Sequence, residues 1–214
     1  GYDLDFGSNI MSMQIPAPIS QVVSGKLGLY QQISVTENPM TVQQFYDMSQ
    51  DPRYRTPQHV DLDDLERQYW ENVTYGAPTY GADVPGTLTD TNVDVWNISR
   101  LGSILDDIDE NIQGVNTPYL YFGTWKSTFP WHTEDMDLYS INYLHFGEPK
   151  FWYAVPPEHG KLLEKFSKGF YTRGYSLCPA FLRHKMALVR PDMLTQYGIP
   201  YNKVSHQFTI TSKH

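Results

Sequence analysis

Apolar and polar residues along this chain fall into short periodic stretches separated by Gly- and Pro-rich turns. The first forty residues show no sustained period, and Ile15-Pro16-Ala17-Pro18 reads as extended because each proline biases its predecessor away from the helix. A short helix is predicted after Thr41, whose hydroxyl can cap it while Gln44 reaches back to close a capping box. Leu62, Leu65, Tyr69 and Val73 lie at i, i+3, i+7 and i+11, so Asp61 to Val73 reads as an amphipathic helix with acids in its first turn. Tyr75 to Thr87 reads as loops around Tyr80-Gly81-Ala82-Asp83. Ile98, Leu101, Ile104, Leu105 and Ile108 predict one more helix on the same logic.

After Gly114 the texture changes. Tyr119 to Trp125, Met136 to Phe146 and Phe151 to Val155 are rich in aromatic and β-branched residues and are bounded by Gly and Pro, which predicts strands. Leu138 to His145 is apolar on both faces, as a strand between two layers should be. Pro157 to Phe170 resumes helical spacing through Leu162, Leu163 and Phe166. Pro191 suits the first position of a last short helix that Gly198 can end. Helices first and a strand-rich core afterwards predict an α+β protein whose sheets form a sandwich or jelly roll.

Composition narrows the class. The 214 residues fit one domain or a large piece of one, and the absence of an initial Met is expected of a fragment. With 40% hydrophobic and 19% charged residues the chain is not a disordered tail, and its apolar runs are too short to span a bilayer. No signal-peptide pattern opens it. A net charge of −8 argues against a phosphate-backbone binder and suits a cationic partner. One cysteine excludes an intrachain disulfide and a four-Cys zinc cluster completed within the chain. The sequons at Asn72 and Asn97 then read as chance matches. Aromatics reach 14%, with 16 Tyr and 5 Trp, which suits strands, cores and pocket walls alike.

Candidate chemistry is concentrated in a few places. In an extended segment His132 and Glu134, two apart, project to one face and can converge on one ion. A second, distant His would complete the facial two-His-one-carboxylate set of non-haem Fe(II) oxygenases; the bland alternative is residues with no ligand role. Lys150 sits against Phe151-Trp152-Tyr153 and must either snorkel from an edge strand or meet an anion. Asn142, amid Ile141, Tyr143 and Leu144, either pairs with backbone or reaches into a cavity. Cys178 and His184 are half of a zinc site or a buried thiol beside an unrelated His. A zinc hydrolase is disfavoured because no His-Glu-X-X-His occurs.

The runs Val115-Asn116-Thr117-Pro118-Tyr119-Leu120-Tyr121-Phe122-Gly123 and Trp131-His132-Thr133-Glu134-Asp135-Met136-Asp137-Leu138-Tyr139-Ser140-Ile141-Asn142 closely resemble the JmjC domain of histone lysine demethylases. The resemblance is closest to the subfamily acting on trimethylated lysine 9 and lysine 36 of histone H3. It extends from Ile15-Pro16-Ala17-Pro18 through Tyr80-Gly81-Ala82-Asp83 and Phe181-Leu182-Arg183-His184-Lys185 to about Thr211. It implies a cupin-like double-stranded β-helix, or jelly roll, with flanking helices. Residues 1–87 would be the region between JmjN and JmjC, contributing to the site through Tyr80, and 88–214 the JmjC domain, incomplete at its C-terminus, the fold being truncated at both ends. It also implies a nuclear enzyme that uses Fe(II) and 2-oxoglutarate to demethylate the histone H3 tail oxidatively, releasing succinate, CO2 and formaldehyde.

Residue by residue, the resemblance matches His132 and Glu134 to iron ligands, and Tyr80, Asn142, Lys150 and Lys185 to positions that hold 2-oxoglutarate. Phe129 and Trp152 would form apolar walls beside it, while Gly114, Tyr119 and Tyr121 match the methyl-lysine pocket. Cys178 and His184 match half of the family's zinc site. Gln113 stands where an acid is expected beside the substrate pocket. Phe208 to Thr211 matches the strand that leads to the third iron ligand, but the chain then reads Ser212-Lys213-His214, with His214 and His206 as poor substitutes. Little activity is therefore expected of this chain alone. The alternative is a catalytically inactive interaction or dominant-negative module on chromatin.

Overall fold

The stretch without a visible period is where structure departs most from sequence pattern. In the computed structural model, which describes residues 10–171, 186–206 and 210–213, the first forty residues are strand-rich. Gln14–Ile15 (β1) is followed by Ile19–Lys26 (β2) and Leu29–Thr36 (β3). Gly25 at φ 137° and Gly28 at φ 84° turn the chain between the two long strands, a conformation a Cβ disfavours. Their faces are diluted by Gln, Ser and Gly, which is why alternation does not stand out. Met40–Thr41 (β4) pairs antiparallel with β1.

The chain divides into two compact units, residues 1–22 with 33–128, and 23–32 with 129–214. In the first, Thr41 caps helix Val42–Ser49 (α1): its Oγ1 accepts from the Gln44 amide at 3.1 Å, and Gln44 Oε1 accepts from the Thr41 amide at 2.8 Å. Helix Leu62–Asn72 (α2) is capped by Asp61 and buries Leu65 and Trp70, as the spacing predicts. Lys126 Nζ closes its far end on the carbonyls of Asn72 and Tyr75. Ile10, Ile15, Val42, Phe45, Val84 and Leu120 form this unit's apolar cluster.

Thr79–Pro85 (β5) forms where a loop is expected. It pairs antiparallel with β2 at Ile19 and Ser20 and with Tyr119–Gly123 (β6) on its other side. Against β6 the register shifts between Gly81 and Val84, so β5 carries an extra residue there, and Asp83 takes φ 56°. That bulge masks the strand in the sequence, since it breaks the alternation.

The expected helix over Ile98 to Ile108 does not form. Only a 3-10 turn, Ile104–Asp107, is present, and Leu101, Ile104 and Ile108 stay exposed. Gly102 and the acids Asp106 and Asp107 leave this stretch little helical support, and among the described residues no apolar surface covers its face. Both sequons are engaged: Asn97 is buried and donates to the Val93 carbonyl at 2.8 Å, and Asn72 donates to Gln68 at 2.8 Å.

In the second unit, strand Ser140–Tyr143 (β7) is shorter than expected. A 3-10 turn at Asp135–Asp137, with Met136 at φ 55°, takes its beginning, and Ser140, Ile141 and Asn142 are half-buried and Tyr143 exposed rather than covered on both faces. Lys150–Ala154 (β8) leads through a 3-10 turn to helix Gly160–Tyr171 (α3). Ala187–Val189 (β9) pairs with Leu29 to Gln31 of β3, and helix Pro191–Gln196 (α4) starts on Pro191, with Gly198 at φ 66° beyond its end. Asn202–His206 (β10) pairs antiparallel with β8, and Ile210–Lys213 (β11) with β7. Leu163, Phe166, Val189, Leu194 and Ile199 are its core. Antiparallel strands with a few helices agree with the α+β jelly-roll class; the order of helices first and strands afterwards does not hold, because strands run throughout.

Candidate functional site

The candidate residues fall into one group in each unit. In the second unit the backbone between Trp131 and Glu134 is irregular, with Glu134 extended at φ −68°, ψ 156°. His132 Nδ1 lies 2.8 Å from the Pro130 carbonyl. A carbonyl only accepts, so Nδ1 carries the proton and Nε2 presents its lone pair. Nε2 stands 3.9 Å from Glu134 Oε1, and that oxygen also accepts from Ser140 Oγ at 2.8 Å. Two acceptors thus face each other at a distance too long for a hydrogen bond, yet within the reach of two metal–ligand bonds of about 2.1 Å each. His132 is oriented through its far nitrogen by a carbonyl, and Glu134 by a hydroxyl that bonds the oxygen facing His132, as outer partners orient metal ligands. Among the described residues no group of three or more His, Cys, Asp and Glu side chains could hold one ion.

From His132 a line of rings runs to Lys150. The Phe129 ring is edge-on to His132 at 6.2 Å and lies 4.5 Å from buried Trp152, whose ring is 6.0 Å from Lys150 Nζ. Lys150 opens β8, half-buried and opposite His206 in the β10 register. Asn142 lies on β7 opposite Thr211. Its Oδ1 is buried and has no hydrogen-bond partner among the described residues, which is costly for an amide. A half-turn of that amide offers either a donor or an acceptor, so the site fits a small polar ligand. Cys178, His184, Lys185 and His214 lie outside the described residues.

In the first unit Tyr80, Tyr119 and Tyr121 come together across β5 and β6. The Tyr80 and Tyr121 rings are 6.0 Å apart, and Tyr119 meets Tyr121 edge-on at 6.4 Å. Gly114, at φ 76°, lies against the Tyr119 ring: a Cβ there would stand 2.9 Å from Cδ2 and 3.1 Å from Cζ. Tyr121 Oη donates to Asp83 Oδ1 at 2.9 Å. Burial first, and the charge of Asp83 second, push the Tyr80 and Tyr121 phenols far above the usual tyrosine range, so both stay neutral. The group is a set of neutral aromatic faces beside a carboxylate, an arrangement that suits an organic cation. Gln113 forms an isolated bridge with Thr117.

Sequence reasoning assigned no role to Asp83 and Ser140. Asp83 carried a signal, an acid within an otherwise apolar strand. The hydroxyl of Ser140, six residues beyond Glu134, carried none.

Residues 119–209 match the JmjC domain, described as a hydroxylase. Over 203 residues, 93% of this chain, the sequence is 54% identical to Lysine-specific demethylase 4B of Mus musculus. It is 50% identical to Lysine-specific demethylase 4D of Rattus norvegicus and 46% to Probable lysine-specific demethylase 4F of Homo sapiens, each again over 93% of the chain. The chain spans 19%, 40% and 32% of the length of these curated relatives, respectively. Among the described residues no helix is long and apolar enough to cross a membrane.

Proposed function

Since this chain carries a JmjC domain, we propose that it serves as an Fe(II)- and 2-oxoglutarate-dependent demethylase of methylated lysine 9, lysine 36 or both on the histone H3 tail, acting in the nucleus. The observation that supports this reading most is the His132–Glu134 pair, two acceptors held by hydrogen bonds and facing each other at 3.9 Å. Bound there, Fe(II) with 2-oxoglutarate and dioxygen would supply the oxidation of an N-methyl group, with formaldehyde, succinate and CO2 as products.

The chain's own residues then have defined tasks. Pro130 fixes the His132 tautomer and Ser140 fixes Glu134, so neither ligand must reorganise when the ion binds. Lys150, half-buried beside Trp152, would meet a cosubstrate carboxylate in a charge-assisted hydrogen bond. Asn142 gains a partner for its buried amide. Tyr80 stays protonated and serves as a neutral hydroxyl for the cosubstrate. Phe129 and Trp152 exclude water beside Lys150. Gly114, Tyr119 and Tyr121 would receive the methylated ammonium, whose charge aromatic faces favour. A chain of net charge −8 suits a basic tail.

Two measurements on the chain test this. Mixed without oxygen, the chain, Fe(II) and 2-oxoglutarate should give a visible metal-to-ligand charge-transfer band that His132→Ala and Glu134→Ala both remove. In air, formaldehyde released from a trimethylated histone H3 peptide by the wild type and not by His132→Ala would show that the chain is active, against the little activity its sequence leads one to expect. Absence of the band at saturating metal would sink the metal assignment. Peptide binding without formaldehyde would favour the non-catalytic module instead.

A further inference from the structure

The bulge in β5 puts a carboxylate where the aromatic group needs one. Asp83, at φ 56°, accepts the Tyr121 hydroxyl proton at 2.9 Å, so the phenol's O–H is already engaged. A phenol that donates to a carboxylate turns only lone pairs towards any ligand. It therefore disfavours a ligand that must accept and favours one that carries positive charge. The Tyr80 and Tyr119 rings, with centroids 6.0 and 6.4 Å from Tyr121, stand around the same group, and Asp83 sets a negative charge beside the three rings.

The geometry points to Asp83 as a positioning residue of the methyl-lysine pocket: it orients the Tyr121 hydroxyl and supplies, from behind that oxygen, the charge that selects a quaternary ammonium over a neutral group of the same shape. The inference rests on the reading that Tyr121 borders that pocket. Raised phenol titration at Tyr80 and Tyr121, to which the charge of Asp83 contributes, accords with it. The bulge is what permits the contact: the extra residue in β5 breaks the alternation between Gly81 and Val84, and Asp tolerates the left-handed backbone better than most residues.

The test separates charge from shape. Fluorescein-labelled histone H3 peptides carry trimethyl-lysine, unmodified lysine, or the neutral carbon isostere of trimethyl-lysine, and anisotropy under argon gives the Kd of each for the chain. Asp83→Asn keeps an acceptor for Tyr121 and a residue at home at φ 56°, but removes the charge; Asp83→Gly suits the same φ and removes both. The wild type is expected to prefer the trimethyl-lysine peptide to its isostere. Asp83→Asn should reduce that preference about fivefold to tenfold, and Asp83→Gly at least as much, with near-ultraviolet dichroism showing folded variants. A loss of affinity shared equally by cation and isostere would be a structural effect and overturns the inference, as does an unchanged preference. If the wild type fails to distinguish trimethyl-lysine from unmodified lysine, the pocket reading falls, and the inference with it.

Discussion

Replacing Gly114 with alanine separates two physical effects that usually arrive together. At φ 76° a Cβ costs about 1–2 kcal/mol in backbone strain. It would also overlap the Tyr119 ring, standing 2.9 Å from Cδ2 where ordinary contact begins at 3.4 Å, and nearer still to Cε2. The ring must therefore back away by roughly 1 Å, enough to weaken recognition about tenfold to a hundredfold where it lines a pocket. Gly76→Ala is the control: its φ is 68°, and nothing lies within 4 Å of the added carbon. Urea unfolding should show a similar stability loss for both variants. Anisotropy with the trimethylated histone H3 peptide should show weakened binding for Gly114→Ala alone. Equal binding by the two variants would refute the placement of Tyr119 in the pocket; a stability loss confined to Gly114→Ala would refute the strain argument.

Two further outcomes concern the second unit. Burial holds the His145 imidazole below its usual 6.5, so in the window just beneath 6.5 the unfolded chain binds the proton more readily than the folded one. Stability is then fully present above that value and falls as pH drops through the folded pKa; urea midpoints across the window should show the fall in wild type and a flatter profile in His145→Gln. Leu194, fully buried against Leu163, Phe166, Val189 and Ile199, leaves a cavity on truncation. Leu194→Ala should cost about 3–5 kcal/mol in chemical denaturation, and a loss below about 1 kcal/mol would show that α4 collapses onto the space.

Much of the local structure was legible because its causes are local. Thr41 with Gln44 and Asp61 ahead of Leu65 satisfy backbone groups within a turn, Pro191 has no amide hydrogen that needs a partner, and each of these helices starts where the sequence predicts. The JmjC resemblance was legible for the same reason, since it resides in contiguous runs such as Trp131 to Asn142. The helix expected over Ile98 to Ile108 shows the limit: a periodic apolar stripe becomes a helix only when another surface covers it, and among the described residues none does. The β2–β3 turn escaped notice because Gln21 and Gln32 occupy buried positions in these strands, and their burial depends on partners far along the chain: Gln21 bonds Thr128 in both directions, at 2.7 and 2.9 Å.

The sequence by itself determined the element types near strong caps, the acidic balance, and the His132-Thr133-Glu134 pair as a candidate for metal. Only the tertiary structure decided which lone pair His132 presents, because that depends on the Pro130 carbonyl 2.8 Å from Nδ1, and a tautomer leaves no trace in sequence. It also decided that Asp83 faces Tyr121 rather than solvent alone. One extra residue in β5 rotates the side chains beyond it, and where that rotation falls is fixed by strand register, a property of two segments together rather than of either one.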